Sequence, residues 1–321
     1  MNIVILERNS VGTDVSVDCF EKLGNVTCYE NTVTEKEAAG RIGDADVVVV
    51  NKAPMNEESL KNASKVKLIC EFATGYDNCD LDYCTKRGIK VANVVDYSTA
   101  MVAQHTFTLA LALLQKLSYY DNYVKSGAYS AQSRFSNFDL PFRELDGKTW
   151  GIVGMGNIGR RVAKIAAAFG CKVIFYSITG KSTCTDYEQV DKNALLAQSD
   201  ILSLHCPLSD LSRDFIEKEA LSKMKSTAIL INVARGGVVN NRDLYEALET
   251  GQIQAAGLDV VEKEPLTQDN PLSRIKDSSR LIITPHLAWA SVEARTRCVE
   301  GVYENIRAFL NGEERNIVNP Q

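Results

Sequence analysis

Short, unalternating runs of Val, Ile and Leu recur along this chain, and they limit its possible folds more than any other feature. A first series falls at residues 2–7, 26–30, 46–51, 68–73 and 90–94. A second falls at 149–153, 172–177, 201–204, 228–232, 255–258 and 281–284. A strand that is apolar on both sides needs cover on both faces, and parallel sheets flanked by crossover helices supply it. Stretches such as 35–41 and 56–62 are long enough for one helix each. The predicted class is α/β, with residues 1–98 as one small unit and the second series as a doubly wound sheet.

Between the two series the period changes. Val102, Thr106, Leu109, Ala110, Leu113, Leu114 and Leu117 keep a 3.6-residue spacing, which predicts one long helix over 99–126. That helix is expected to cross between the domains. Residues 128–145 read as a loop rich in aromatic side chains, a poor surface for a monomer, so a second copy of the chain is expected against it. A last helix follows Ser291, with Val292, Val299, Val302, Ile306, Phe309 and Leu310 on one face, and stops at Gly312.

Charge and composition remove several function classes. In 321 residues, 36 Lys and Arg against 41 Asp and Glu give a net charge of −5, without the basic face or tail that a nucleic-acid partner requires. No apolar run approaches the roughly 18 residues of a membrane span. The first residues carry Glu7 and no basic segment, so they read as a buried strand and not a secretion signal. Nine cysteines without a CxxC pair fit small buried side chains in a reducing cytoplasm. Cys79 and Cys84, the nearest pair in sequence, have no second pair or nearby His to complete a zinc site, and no metal is expected.

The run 149–153 leads into Gly154-Met155-Gly156-Asn157-Ile158-Gly159, and a helix with Ile158, Val162, Ile165 and Phe169 on one face follows. Strand, glycine turn and helix together make a phosphate-binding site. Gly154 allows the turn, Gly156 lets backbone N–H groups approach a pyrophosphate, and Gly159 lets helix pack on strand. The helix N-terminus attracts the anion through its dipole and its N–H groups. A dinucleotide site usually places a carboxylate at the end of the next strand, on the ribose hydroxyls. Here that position holds Ser177. With Thr179 and Lys181 it can accommodate a ribose phosphate as well as a hydroxyl, so the sequence predicts use of NAD(H) and NADP(H) both, leaning to NADP(H).

Three histidines are present. His286 ends the run 281–284, and strand C-terminal ends are where ligands bind in open α/β sheets. His105 lies within the predicted long helix and reads as a packing residue. His205 follows the run 201–204 and is expected to line the cofactor cleft. Arg235 follows the run 228–232 just before two glycines, a turn that exposes a planar guanidinium suited to a carboxylate. Glu264 lies beyond the run 255–258. Lys52, in Asn51-Lys52-Ala53, is expected to face the cleft.

With the glycine turn, the stretches His205-Cys206-Pro207-Leu208, Asn232-Val233-Ala234-Arg235-Gly236-Gly237, Gly257-Leu258-Asp259, Glu264-Pro265 and Pro285-His286 complete a pattern. On these residues the chain resembles the D-isomer-specific 2-hydroxyacid dehydrogenases over essentially its whole length. The resemblance implies two doubly wound parallel-sheet domains. One is a flavodoxin-like substrate domain of residues 1–98 and 289–321. The other is a Rossmann NAD(P)-binding domain of residues 99–288. It implies reduction of a small 2-keto acid to a D-2-hydroxy acid by hydride transfer from NAD(P)H. Arg235 is then the substrate anchor, His286 the acid and base, and Glu264 its partner. Thr74 and Gly75 would hold the substrate carboxylate. Asn157, Ile158, Cys206, Pro207, Val233 and Ala234 would line the cofactor with the glycines and Ser177, and Asp259 would meet its nicotinamide end. A homodimer is implied as well. Ala73-Thr74-Gly75-Tyr76 and Val102-Ala103-Gln104-His105-Thr106-Phe107 resemble the glycerate dehydrogenase and hydroxypyruvate reductase branch. Asp77-Asn78 is similar to D-lactate dehydrogenases. That activity, and a nucleotide-sensing corepressor-like protein, stay as alternatives.

Overall fold

The computed structural model describes residues 1–320. The chain divides into two compact units, Met1–Ser98 with the chain from Trp289 onward, and Thr99–Ala288. Among the described residues no helix is long and apolar enough to cross a membrane.

The first unit is built on five strands, β1 (Asn2–Ile5), β2 (Asn25–Cys28), β3 (Val47–Val50), β4 (Leu68–Glu71) and β5 (Lys90–Ala92). Their order is β2-β1-β3-β4-β5, and every pair is parallel. The unbroken apolar runs of β3 and β4 are buried at every residue, as cover on both faces requires. The edge strand β2 is mostly exposed. Helix Glu35–Ile42 opens with a reciprocal cap between Thr34 and Glu37. Helix Val292–Leu310 belongs to this unit, but its buried face differs from the predicted stripe. Ala294, Cys298, Val299, Val302 and Ile306 are covered, whereas Val292 and Leu310 at its ends are exposed. Small residues let the helix lie close, and the periodic count of large ones missed them.

The second unit carries seven strands, β6 (Thr149–Val153), β7 (Lys172–Tyr176), β8 (Glu188–Gln189), β9 (Ile201–Leu204), β10 (Ile229–Asn232), β11 (Ala255–Leu258) and β12 (Leu281–Ile283). They run parallel in the order β12-β11-β10-β9-β6-β7-β8. β8 is absent from the expected series because it is two exposed polar residues long. Leu202, Leu204, Leu230 and Leu258 share a core with Leu195, Leu221, Leu244 and Leu248 from the covering helices.

The predicted helix over 99–126 is two helices, Thr99–Leu114 and Leu117–Lys125. The break lies at Lys116, which takes a left-handed φ of 55°. Its buried Nζ donates to Ser279 O at 2.8 Å. This tertiary bond redirects a chain whose apolar period would otherwise run on. Helix Asn157–Ala168 also buries a different face from the expected one. Gly159, Val162, Ala163 and Ala166 are covered, while Phe169 is exposed and stacks on Phe107.

Candidate active site

In the second unit β6 lies between β7 and β9, where the winding of the sheet reverses. A crevice opens outside the strand ends at such a point. Gly154 N donates to Tyr176 O at 3.0 Å on one side, and His205 N donates to Val153 O at 2.8 Å on the other. Gly154 has a φ of 91°, and a Cβ there would lie 2.9 Å from Cys206 N. Only glycine fits. A Cβ on Gly159 would lie 2.2 Å from Gly154 O, so this glycine is what lets the helix rest on the turn.

Gly156 differs from both. A Cβ there would meet nothing within 4 Å. As the residue before helix Asn157–Ala168 it offers no side-chain cap, and the first turn holds no acidic residue. The N–H groups of a first turn have no acceptor inside the helix. The open space and the electropositive helix end fit the pyrophosphate of a dinucleotide. Cys206, Val233, Ala234 and Ser177 are buried beside the ends of β9, β10 and β7, whereas Pro207 is exposed.

In the turn after Ser177, Gly180 N donates to Ser177 O, and Thr179 and Lys181 are exposed. Arg160, which the sequence reading passed over, donates to Thr183 Oγ1 at 3.1 Å. It therefore adds a cation beside this loop. A residue just inside a helix gives no sequence sign of which loop it will reach.

β10, β11 and β12 are neighbours, with Asn232 opposite Leu258 and Leu258 opposite Ile283. Arg235, Asp259 and His286 therefore leave three adjacent strand ends. Arg235 precedes a tight turn, Asn232 Nδ2 donates to its carbonyl, and its own Nη1 donates to Ala234 O. A Cβ on the next residue, Gly236, would lie 1.9 Å from Val261 O. Backbone thus touches backbone, and the Arg235 turn is pinned three residues before Glu264. Glu264 Oε2 lies 2.7 Å from His286 Nδ1, and its Oε1 accepts from Val261 N. The pair is about one-third exposed.

His286 has a left-handed φ of 53°. For a residue with a side chain this conformation is costly and needs support. Asp259 supplies much of it. Its carbonyl accepts from His286 N at 2.8 Å, Oδ1 from Leu287 N at 2.9 Å, and Oδ2 from Ala288 N at 2.8 Å. Oδ1 also accepts from Thr284 Oγ1 at 2.6 Å. The Asp259 side chain is buried and committed to the loop that carries His286. This holding role was not legible in the sequence, which contains the residues but not their direction.

His205 Nε2 lies 3.0 Å from Ser203 Oγ, and burial pushes the imidazole down to about 3. It is neutral near pH 7 and is no proton donor there. In the first unit, Thr74 Oγ1 donates to Val94 O and Thr74 O accepts from Asn93 Nδ2, so the loop before Gly75 is held by β5's continuation. Lys52 is exposed beside buried Asn51 and Ala53. A hollow of about 370 Å³ lined by Arg242, Tyr245, Glu246, Asp269, Pro271 and Arg274 contains none of these residues.

Residues 107–288 match the family described as D-isomer specific 2-hydroxyacid dehydrogenase, NAD binding domain. A hydroxypyruvate reductase of Blautia hydrogenotrophica is 38% identical, covering 99% of this chain and 100% of that protein. D-lactate dehydrogenase of Aquifex aeolicus, solved with NAD and lactic acid, superimposes with a TM-score of 0.85 at 29% identity, covering 100% of both chains. An acyclic imino acid reductase solved with NADPH and D-Arg gives 0.88 at 30% identity, covering 99% of this chain and 100% of that one. With the glycine turn at a sheet's reversal point and a His–Glu pair on neighbouring strand ends, these matches place the chain in one family: it belongs to the D-isomer-specific 2-hydroxyacid dehydrogenases.

Proposed function

We propose that this enzyme reduces hydroxypyruvate to D-glycerate or glyoxylate to glycolate. The 2.7 Å contact between His286 Nδ1 and Glu264 Oε2 carries the reading. Glu264 accepts at Nδ1 and so leaves Nε2 as the nitrogen that can face a substrate. The nicotinamide, when bound, supplies the hydride. As negative charge grows on the substrate carbonyl oxygen, His286 gives it the Nε2 proton, and in oxidation neutral His286 removes one. Glu264 fixes the orientation and the tautomer of the ring. Arg235 offers the substrate carboxylate a planar fork. The dinucleotide would lie along Gly154, Gly156, Asn157, Ile158 and Gly159, with Ser177, Cys206, Pro207, Val233, Ala234 and Asp259 around it. The hydroxypyruvate reductase similarity favours these substrates over lactate.

The test is oxidation of NADH and NADPH with hydroxypyruvate, glyoxylate and pyruvate. His286→Asn is expected to retain nucleotide binding and to lose about 10²- to 10⁴-fold in kcat. Near-normal turnover of that variant would remove His286 from the mechanism.

Both cofactors should serve, with NADPH somewhat preferred, because Ser177 presents no charge against a ribose phosphate and Arg160 and Lys181 lie on its loop side. Ser177→Asp should move the kcat/KM ratio toward NADH by like-charge repulsion. A wild type preferring NADH more than about a hundredfold would show that another residue sets the choice. The enzyme is further proposed to act as a homodimer in the cytoplasm.

A further inference from the structure

The helix Thr99–Leu114 turns one buried polar side chain, His105, toward the loop that carries His286. His105 Nε2 lies 3.0 Å from Thr284 Oγ1 and 3.5 Å from Asp259 Oδ1. A threonine hydroxyl has one proton, and Thr284 gives it to Asp259 Oδ1 at 2.6 Å. Toward His105 that oxygen can only accept, so His105 Nε2 must carry a hydrogen. Burial holds the imidazole below its ordinary pKa, opposed by the neighbouring Asp259 charge, which agrees with a neutral ring. The result is a one-way chain from His105 Nε2–H to Thr284 Oγ1–H to Asp259.

We infer that His105 is a positioning residue for the reaction: through Thr284 it keeps the Asp259 carboxylate turned toward the backbone that holds His286. The same carboxylate takes the N–H groups of Leu287 and Ala288, and the Asp259 carbonyl takes that of His286. His105 and Thr284 are assigned to neither substrate nor nucleotide, and their effect is inferred to reach the reaction through the placement of His286. The inference rests on the proposed role of His286, but the state of the His105 ring does not.

The chain has three histidines, so ¹⁵N spectra of its imidazoles are sparse enough to read one ring at a time. In the wild type at pH 7, His105 is expected to be neutral with the hydrogen on Nε2. A hydrogen on Nδ1 would overturn the proposal whether or not the enzyme turns over hydroxypyruvate. His105→Leu removes the donor, while His105→Gln puts an amide N–H at the same reach. The Leu variant should displace the His286 imidazole signals and lower kcat by about tenfold to a hundredfold, the scale of a misplaced catalytic group, with the KM for the nucleotide unchanged. The Gln variant should restore both. Thr284→Val breaks the same chain independently, and its loss should not multiply with that of His105→Leu. His286 signals unmoved in His105→Leu, a Gln variant as impaired as the Leu variant, or fully multiplicative losses would each overturn the inference.

Discussion

Glu71 closes β4 with its carboxyl fully buried. Oε1 accepts from Asn78 Nδ2 and Cys79 Sγ, both at 3.0 Å, and Oε2 has no partner among the described residues. Burial pushes the group up to about 8, although the bonds from Cys79 and Asn78 pull it down. The folded chain therefore keeps this proton to about pH 8, while an unfolded carboxyl releases it near the ordinary 4.5. Between those values the folded state binds more protons, so its stability falls as pH rises, and the contribution is gone above the upper one. Glu71→Gln removes the titration. Between pH 5 and pH 9 the wild-type Tm should fall by about 5 °C more than that of the variant, and parallel curves would show that Glu71 is ionised in the fold. A reader of the sequence sees only a charge ending an apolar run. The proton depends on burial that only the folded chain imposes, against the pull of Asn78 and Cys79, which the fold brings back to the carboxyl, just as the commitment of Asp259 depends on a loop from another strand. Arg235, Glu264 and His286 could be singled out as candidates because their places after strand runs are local facts, while the pairing of Glu264 with His286 was an expectation of the family resemblance.

The same device holds a loop in each unit. After β1, Glu7 Oε2 accepts from Asn51, Lys52 and Ala53 N at 2.8 to 2.9 Å, and so fixes the chain leaving β3. After β11, Asp259 takes three successive N–H groups of the chain leaving β12. In both, an acidic residue at one strand end sets the backbone at a neighbouring one, Glu7 by its carboxylate alone and Asp259 by its carboxylate and its carbonyl, and no local pattern marks that. What the pattern does mark is the sheet, since unalternating runs have few other uses. It misplaced part of the helix faces at Asn157–Ala168 and Val292–Leu310, where small side chains share the contact with Val162 in one and with Val299, Val302 and Ile306 in the other. The glycines of the turn separate packing from binding. Gly159→Ala must push against Gly154 O and should cost about 1–3 kcal/mol of stability. Gly156→Ala enters open space and should stay within about 0.5 kcal/mol of wild type. Its methyl group nevertheless stands where the pyrophosphate is proposed to lie. Nucleotide affinity should fall at least about tenfold, an effect of about 1.4 kcal/mol, and wild-type affinity in Gly156→Ala would move the phosphates elsewhere.

Beyond the break at Lys116 the second unit leaves a large apolar surface uncovered. Phe135 is 89% exposed and Phe138 72%, with Phe142, Leu117 and Val124 also more than half exposed. The segment nevertheless has internal order. Tyr120 Oη donates to Leu140 O at 2.6 Å, Tyr129 Oη to Phe135 O at 2.9 Å, and Tyr123 Oη to Gln132 Oε1 at 2.7 Å. Tyr120 packs edge-on against Phe142. A loop tied this way holds its phenylalanines outward, and large apolar side chains exposed together in one segment suit an association site. A second copy is the proposed occupant. Each phenylalanine buried there would contribute about 1.5–3 kcal/mol, enough for a few to hold a dimer against the cost of association. Light scattering at micromolar concentration should then give about twice the 35.4 kDa of one chain. Phe135→Ser combined with Phe138→Ser should return the single-chain mass with the circular dichroism unchanged, because neither side chain is part of a core. A wild type of single-chain mass would leave these aromatics without the proposed partner, and a double variant that stays dimeric would move the interface off this loop.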